Sequence, residues 1–235
     1  ITVCLTVIIF CAKETTFKVL FAPCDNHFIT YRLIEDTLGQ MGMNFHFEPY
    51  SIQMINTELS SQFMTHVSTS VYMALLLVSP YIVIELYYYI APALYENERH
   101  YSVVVATAIY LLFILGVVMS YFILFPFALR FLGTYQVTES VVNQINLDSY
   151  ISTFVTLTLM MGLVFQLPIL SFFLAKMGIL DAVFMKQYRR HAFVLIGIIA
   201  AIITPPDLFT CFMVMIPMYG LYELSILIVE RVKTT

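Results

Sequence analysis

The chain has 235 residues, 60% of them apolar and 11% charged, with a net charge of −4 and a mean hydropathy of +0.88. A water-soluble domain carries about 25% charged residues, so this composition cannot coat a soluble fold and lipid must solvate much of the surface. Continuous apolar runs exclude the alternating strands of a β-barrel, and the acidic balance gives no reason to expect nucleic-acid binding.

The first apolar run, Ile1–Ala12, ends at Lys13 and Glu14. It is shorter than the ~20 residues a spanning helix needs. No cleavable signal peptide is recognisable, and the expectation is that the beginning of the first helix, and what precedes it, is missing from the sequence. Five further apolar segments follow: 67–89 with Pro80, 102–125 closed by Pro126, 151–175 with Pro168, 191–203, and 208–229 with Pro217. Proline is tolerated inside a membrane helix because neighbours can satisfy the freed carbonyl, at the cost of a bend. The segment 191–203 would reach only about 20 Å as a helix, against a hydrocarbon core near 30 Å. It therefore starts earlier, around Phe184, or sits in thinned bilayer. Thr204-Pro205-Pro206-Asp207 breaks the chain between the last two segments and makes them a hairpin.

The reading is an all-α membrane protein of six transmembrane helices in a single domain over 1–235. A long outer loop, 13–66, follows the first helix. It contains a helical-looking stretch, Ile29–Met41, and an extended one, Asn44–Met54. Seven of the eleven Lys and Arg residues fall on the side that holds the loops around Arg99 and 176–190 and the C-terminal end. Basic residues in short loops mark the cytoplasmic side. Both termini are therefore expected in the cytoplasm, and the outer loop faces the opposite compartment.

Four features could carry chemistry. The cytoplasmic loop Ala91-Pro-Ala-Leu-Tyr-Glu-Asn-Glu-Arg-His100 places Glu96 and Glu98 against the basic sign of its side, which suits a guanidinium partner held in a bidentate fork. A solvated loop, with Glu98 offsetting Arg99, is the plainer reading. Glu85 and Glu223 are acids within apolar runs, costly there and hence functional candidates, although both lie near segment ends where a side chain can reach the interface. Gln166 is an amide at mid-membrane that could tie helices together or cover a carbonyl freed by proline. Asp207 precedes the last helix and can cap its free N–H groups. The cysteines and histidines form no metal spacing, and no catalytic motif is present. No metal, cofactor or enzymatic activity is expected.

In order along the chain, Ser79-Pro-Tyr, the 91–99 stretch, Tyr121-Phe-Ile-Leu-Phe-Pro-Phe127, Gly162-Leu-Val-Phe-Gln-Leu-Pro168, Ala175-Lys-Met-Gly-Ile179, Arg189-Arg190, Ala200 to Asp207 and Ile216-Pro-Met-Tyr-Gly-Leu-Tyr-Glu223 resemble the TatC family, the multi-spanning receptor of the twin-arginine protein translocase. The pairing of Ala-Pro-Ala-Leu-Tyr…Glu-Arg with Ile-Thr-Pro-Pro-Asp in one chain is the specific part. Pro80, Pro92, Pro126, Pro168, Pro205, Pro206, Asp207 and Pro217 fall within these motifs or the segments they define, as structural positions.

The resemblance implies a concave bundle, not a closed pore. It implies binding of twin-arginine signal peptides of folded precursors at the cytoplasmic face, and recruitment of single-span TatA/TatB-type subunits. Transport would be driven by the proton-motive force. The family's recognition acid matches Glu98, with Arg99, Glu96 and Tyr95 beside it. Gln166, Glu223 and Glu85 become candidate contacts for a partner helix. Self-association and the lipid bilayer complete the expected partners. Two departures stand out: the acidic stretch that the family carries before its first helix is absent here, and Gln166 stands where the family often has glutamate, so a role requiring ionisation there is in doubt. The expected location is a bacterial cytoplasmic (inner) membrane, with an organellar membrane as the alternative. A secondary transporter or channel for a small solute is the rival function, and it would call for inverted repeats and a midplane site.

Overall fold

A computed structural model of the chain describes residues 2–26, 28–40, 53–56, 60–90, 102–135 and 144–233. These are mostly helical. In chain order they are α1 (Thr2–Cys11), α2 (Lys13–Phe21), α3 (Ile29–Gln40), β1 (Gln53–Ile55), α4 (Ser61–Ile90), α5 (Ser102–Met119), a π-helical turn (Ser120–Leu124), α6 (Phe125–Thr134), β2 (Gln144–Asn146), α7 (Leu147–Val164), α8 (Leu167–Lys176), α9 (Ala182–Gln187), α10 (Arg189–Ile203) and α11 (Leu208–Lys233). Among the described residues four stretches are long and apolar enough to cross a bilayer: Ser61–Leu86, Val104–Thr134, Leu147–Lys176 and Leu208–Val232. The chain is thus a multi-pass membrane protein by length and composition. α1 and α10 are apolar but shorter, with 10 and 15 residues.

The prolines explain where helices run on and where they restart. α4 continues through Pro80 and α11 through Pro217. Pro126 and Pro168 instead occupy the first turn of α6 and α8, where proline's fixed φ suits the start of a helix. Pro126 therefore does not close its segment at 125, as the sequence suggests. The π-helical turn just before it re-phases the backbone, and the helix proceeds to Thr134.

Contacts divide the chain into two compact units, residues 1–76 with 119–156, and 77–118 with 157–235. The first unit holds the elements of the long loop 13–66. The expected helix at Ile29–Met41 is α3, and the end of the extended stretch enters β1, which pairs in parallel with β2 through Gln53–Gln144, Met54–Ile145 and Ile55–Asn146. The core of this unit is aromatic: Phe28 stacks on Phe122, and Phe125 meets Tyr150 and Phe154 edge-on.

Proline chemistry locates α3. Pro126 has no N–H to give the Phe122 carbonyl one turn earlier, and the Thr30 hydroxyl donates to that carbonyl instead. The neighbouring Tyr31 hydroxyl donates to the Pro126 carbonyl at 2.9 Å. Two further tyrosines tie the end of α2 down: Tyr121 donates to the Val19 carbonyl and Tyr150 to that of Leu20, both at 2.7 Å. Asp148, at the start of α7, accepts hydroxyls from Ser61 (2.8 Å) and Thr65 on α4.

The second unit is built on close helix contacts. Gly116 of α5 and Gly162 of α7 let the two backbones meet. A Cβ on Gly116 would lie 2.7 Å from the Met161 carbonyl oxygen, and one on Gly162 would lie 2.7 Å from the Phe113 ring. Small residues at such crossings are the membrane solution to helix packing, where no hydrophobic gain separates protein from lipid. α8 ends in a Schellman motif: Gly178 takes φ 72°, its N–H bonds the Ala175 carbonyl at 3.0 Å, and the Ile179 N–H bonds that of Leu174 at 2.9 Å. The turn feeds α9, capped by Asp181. Ala175, Ala182, Met185, Ile226 and Val229 then pack the end of α8, α9 and the end of α11 into one small core.

Candidate functional site

The recognition loop inferred from sequence, with Tyr95, Glu96, Glu98, Arg99 and Pro92, lies outside the described residues. The candidate groups that are described sit in the second unit, and they do not form one cluster.

Gln166 occupies the turn between α7 and α8. Its backbone N–H bonds the Leu163 carbonyl at 3.0 Å, tightening the turn and leaving the Gly162 carbonyl without its usual partner. The Gln166 side-chain amide supplies it, donating to the Gly162 carbonyl at 3.4 Å and to the Ile109 carbonyl of α5 at 3.2 Å. Its amide thus joins two helices and covers a carbonyl exposed at the break. The carboxamide oxygen is buried and has no hydrogen-bond partner among the described residues. A buried acceptor without a partner costs about 1–3 kcal/mol, which makes it an open polar position in this crossing.

Glu223 is not open. Arg189 at the start of α10 donates to one carboxylate oxygen at 2.7 Å, and the Tyr219 hydroxyl, one turn back on α11, donates to the other at 3.0 Å. Two turns further along α11, Lys186 bridges both oxygens of Glu230 at 2.8 Å, and Tyr222 donates to the Met185 carbonyl at 2.9 Å. These contacts lace α9 and the start of α10 to the end of α11. All are partly exposed, so each ion pair contributes about 0–1 kcal/mol and fixes geometry more than stability. Glu85 is exposed on α4, with Tyr81 one turn before it. Tyr219 before Glu223 and Tyr81 before Glu85 repeat one i, i+4 pattern that was visible in the sequence. The cationic partner of Glu223 was not, because Arg189 lies 34 residues away.

Asp207 caps α11 as its position suggests: its carboxylate accepts from the Thr210 N–H at 2.7 Å and from the Thr210 hydroxyl. The Thr204 hydroxyl donates back to the Ala200 carbonyl at 2.9 Å, so the Thr-Pro-Pro-Asp turn is bonded at both edges. Among the described residues no group of three or more His, Cys, Asp and Glu side chains could hold a metal.

The comparisons with known proteins agree with one another. The model of the family "Sec-independent protein translocase protein (TatC)" matches residues 1–217. The TatC of Blattabacterium sp. subsp. Periplaneta americana is 37% identical over 228 residues, covering 95% of this chain and 85% of that protein. The TatC of Helicobacter pylori strain J99 is 38% identical over 173 residues, 72% of this chain and 68% of that protein. Two crystal structures described as the twin arginine translocase receptor TatC have TM-scores of 0.75 and 0.68, each at 26% identity. The first covers 96% of this chain and 91% of the solved one, the second 97% and 95%. Over nearly its whole length, in sequence and in fold, the chain belongs to the TatC family, a non-enzymatic membrane component of the Sec-independent protein translocase.

Proposed function

We propose that the chain is the receptor subunit of a twin-arginine translocase in a bacterial cytoplasmic membrane. It binds the signal peptides of folded precursors at its cytoplasmic face and recruits TatA/TatB-type single-span subunits for export driven by the proton-motive force. The observation that carries this reading is the family match over residues 1–217, which includes the loop 91–100. In this reading the chain acts as one domain over 1–235 and crosses the membrane six times, α1 and α10 supplying the two short crossings, with both termini in the cytoplasm and the long loop 13–66 outside.

Glu98 is the proposed contact for the arginine pair, because a carboxylate meets a guanidinium through two parallel hydrogen bonds. Glu96, Arg99 and Tyr95 frame it. Gln166 is the proposed contact for a partner helix: it is half-buried at the break between α7 and α8, and as an amide it offers no ionisable proton. Glu223 is engaged by Arg189 and Tyr219 and would have to exchange them to serve in the same way. Glu85 is exposed and reachable.

The test is site-specific photo-crosslinking of a twin-arginine signal peptide to the membrane-embedded chain. Glu98→Ala should weaken crosslinking about tenfold or more, since a charge-assisted hydrogen bond contributes about 1.5–3 kcal/mol. Lysine in place of the paired arginines of the peptide should weaken it too, because lysine cannot form the fork. Undiminished, correctly placed crosslinking to Glu98→Ala removes Glu98 from the site.

A further inference from the structure

The segment between α8 and α10 combines features that water does not explain. It lies outside the apolar stretches long enough to span a bilayer, yet its apolar side chains face outward: Ile179 is 66% exposed, Val183 70% and Phe184 53%. Burial is available next to them, since Ala182 and Met185 of the same short helix are buried against Ile226 and Val229 of α11. One face of α9 is therefore packed on protein and the other presents a valine and a phenylalanine. A contiguous apolar surface of this kind marks a contact with something apolar.

Charge identifies what that is. Five cations are described at this end of the unit: Lys176, Lys186, Arg189, Arg190 and Arg231. The three acids are all engaged. Asp181 caps α9, Glu223 holds Arg189, and Glu230 holds Lys186. Arg190 is exposed and has no side-chain partner among the described residues. The ring of Tyr188, tilted at 52° to that of His191 with centroids 5.3 Å apart, completes an aromatic and cationic rim. Apolar side chains beneath an aromatic rim, with the cation of Arg190 at the same level, are the composition of an interfacial segment.

We propose that α9 and the start of α10 form a binding site for anionic phospholipid: Val183 and Phe184 enter the acyl boundary of the leaflet, and Arg190 holds a lipid phosphate. The occupant is a lipid and not a soluble partner because the apolar residues continue directly from membrane-spanning α8 into the cationic rim. The inference is independent of signal-peptide recognition, which concerns the loop 91–100.

The sequence contains no tryptophan, so a single introduced indole reports its surroundings without background. Phe184→Trp and, separately, Ile179→Trp are made in the full chain and reconstituted into bilayers. Quenching is measured with brominated phosphatidylglycerol or brominated phosphatidylcholine as a minor component. Both reporters should be quenched, and phosphatidylglycerol should quench more strongly at equal mole fraction. Arg190→Gln should reduce that preference about fivefold, the effect of one cation at an anionic surface. Arg190→Lys should keep most of it, and raised salt should shrink it. Added inorganic phosphate should leave it unchanged, because the apolar residues select a lipid. Indoles that stay unquenched place the segment in water or under protein and overturn the proposal. Equal quenching by both lipids, or a preference unaffected by Arg190→Gln, overturns the assignment of an anionic ligand.

Discussion

Substituting Gly116 by alanine adds one methyl group where α5 crosses α7. The new Cβ would stand 2.7 Å from the Met161 carbonyl oxygen and 3.0 Å from the Gly162 Cα, both backbone atoms that no rotamer change can move. The helices must separate by several tenths of an ångström, and Phe113 and Met161, both fully buried at this crossing, lose contact. Overpacking of this kind costs about 1–3 kcal/mol. The clash is with backbone, so the upper end of that range applies, and with up to about 1 kcal/mol of helix propensity returned by alanine the net loss is about 2 kcal/mol. Gly162→Ala should behave similarly, since its Cβ meets the Phe113 ring, but its loss should be partly recovered by Phe113→Leu, whereas that of Gly116→Ala should not. Gly220 of α11 has nothing within 4 Å of an added Cβ and is the control: Gly220→Ala should be neutral or stabilising. The assay is reversible denaturation of the purified chain in detergent, comparing midpoints at constant slope. A Gly116→Ala protein as stable as the parent, alongside an unaffected Gly220→Ala, would refute close backbone contact at this crossing.

Three other outcomes are expected. Tyr31→Phe and Thr30→Val each remove the hydrogen bond of α3 to a carbonyl around Pro126, and each should cost about 1 kcal/mol in the same denaturation assay; their effects should fail to add, because both release one helix from one site. Asp207→Ala removes the cap of α11 and should cost about 1 kcal/mol, while Asp207→Asn should retain most of it. Burial pushes the Cys24 thiol up, the hydrogen bond with Tyr150 at 3.4 Å opposing it in part. The folded-state value lies above the unfolded one, so this contribution to stability is complete below the ordinary thiol range and is lost as pH rises through the raised value. In a chain with Cys4, Cys11 and Cys211 changed to serine, maleimide labelling of Cys24 should keep accelerating at pH values where the unfolded chain has levelled off. Coincident pH profiles for folded and unfolded chains would contradict it.

How much of this could be read without coordinates differs from residue to residue. Asp207 was legible because capping is local: an acid one residue before an apolar helix has N–H groups within reach whatever the rest of the fold does. The orphaned carbonyl at Phe122 was legible in the same way, since Pro126 four residues later cannot donate. What fills it was not, because Thr30 is 92 residues away in sequence. Gln166 was legible as an amide needing partners near a proline. That it would hold Gly162 of its own helix and Ile109 of α5, leaving its oxygen open, depended on a turn tightened at Leu163. Glu223 was read as a candidate contact for a partner helix because its long-range cation could not be seen.

The sequence by itself determined the solvent and the scaffold of this protein. Apolar runs and scarce charge require lipid, the Thr-Pro-Pro-Asp turn separates the last two helices, and ordered motifs reveal the family. These follow from local physics, where the free energy depends on a residue and neighbours within about one helical turn. Only the tertiary structure decided which polar groups are used up and which remain available. Arg189 neutralises Glu223, α3 occupies the break at Pro126, and Gly116 meets the backbone of α7 because packing joins residues far apart in the chain. The same packing buries one face of α9 and leaves Val183, Phe184 and Arg190 outward, a distinction no reading of six consecutive residues contains.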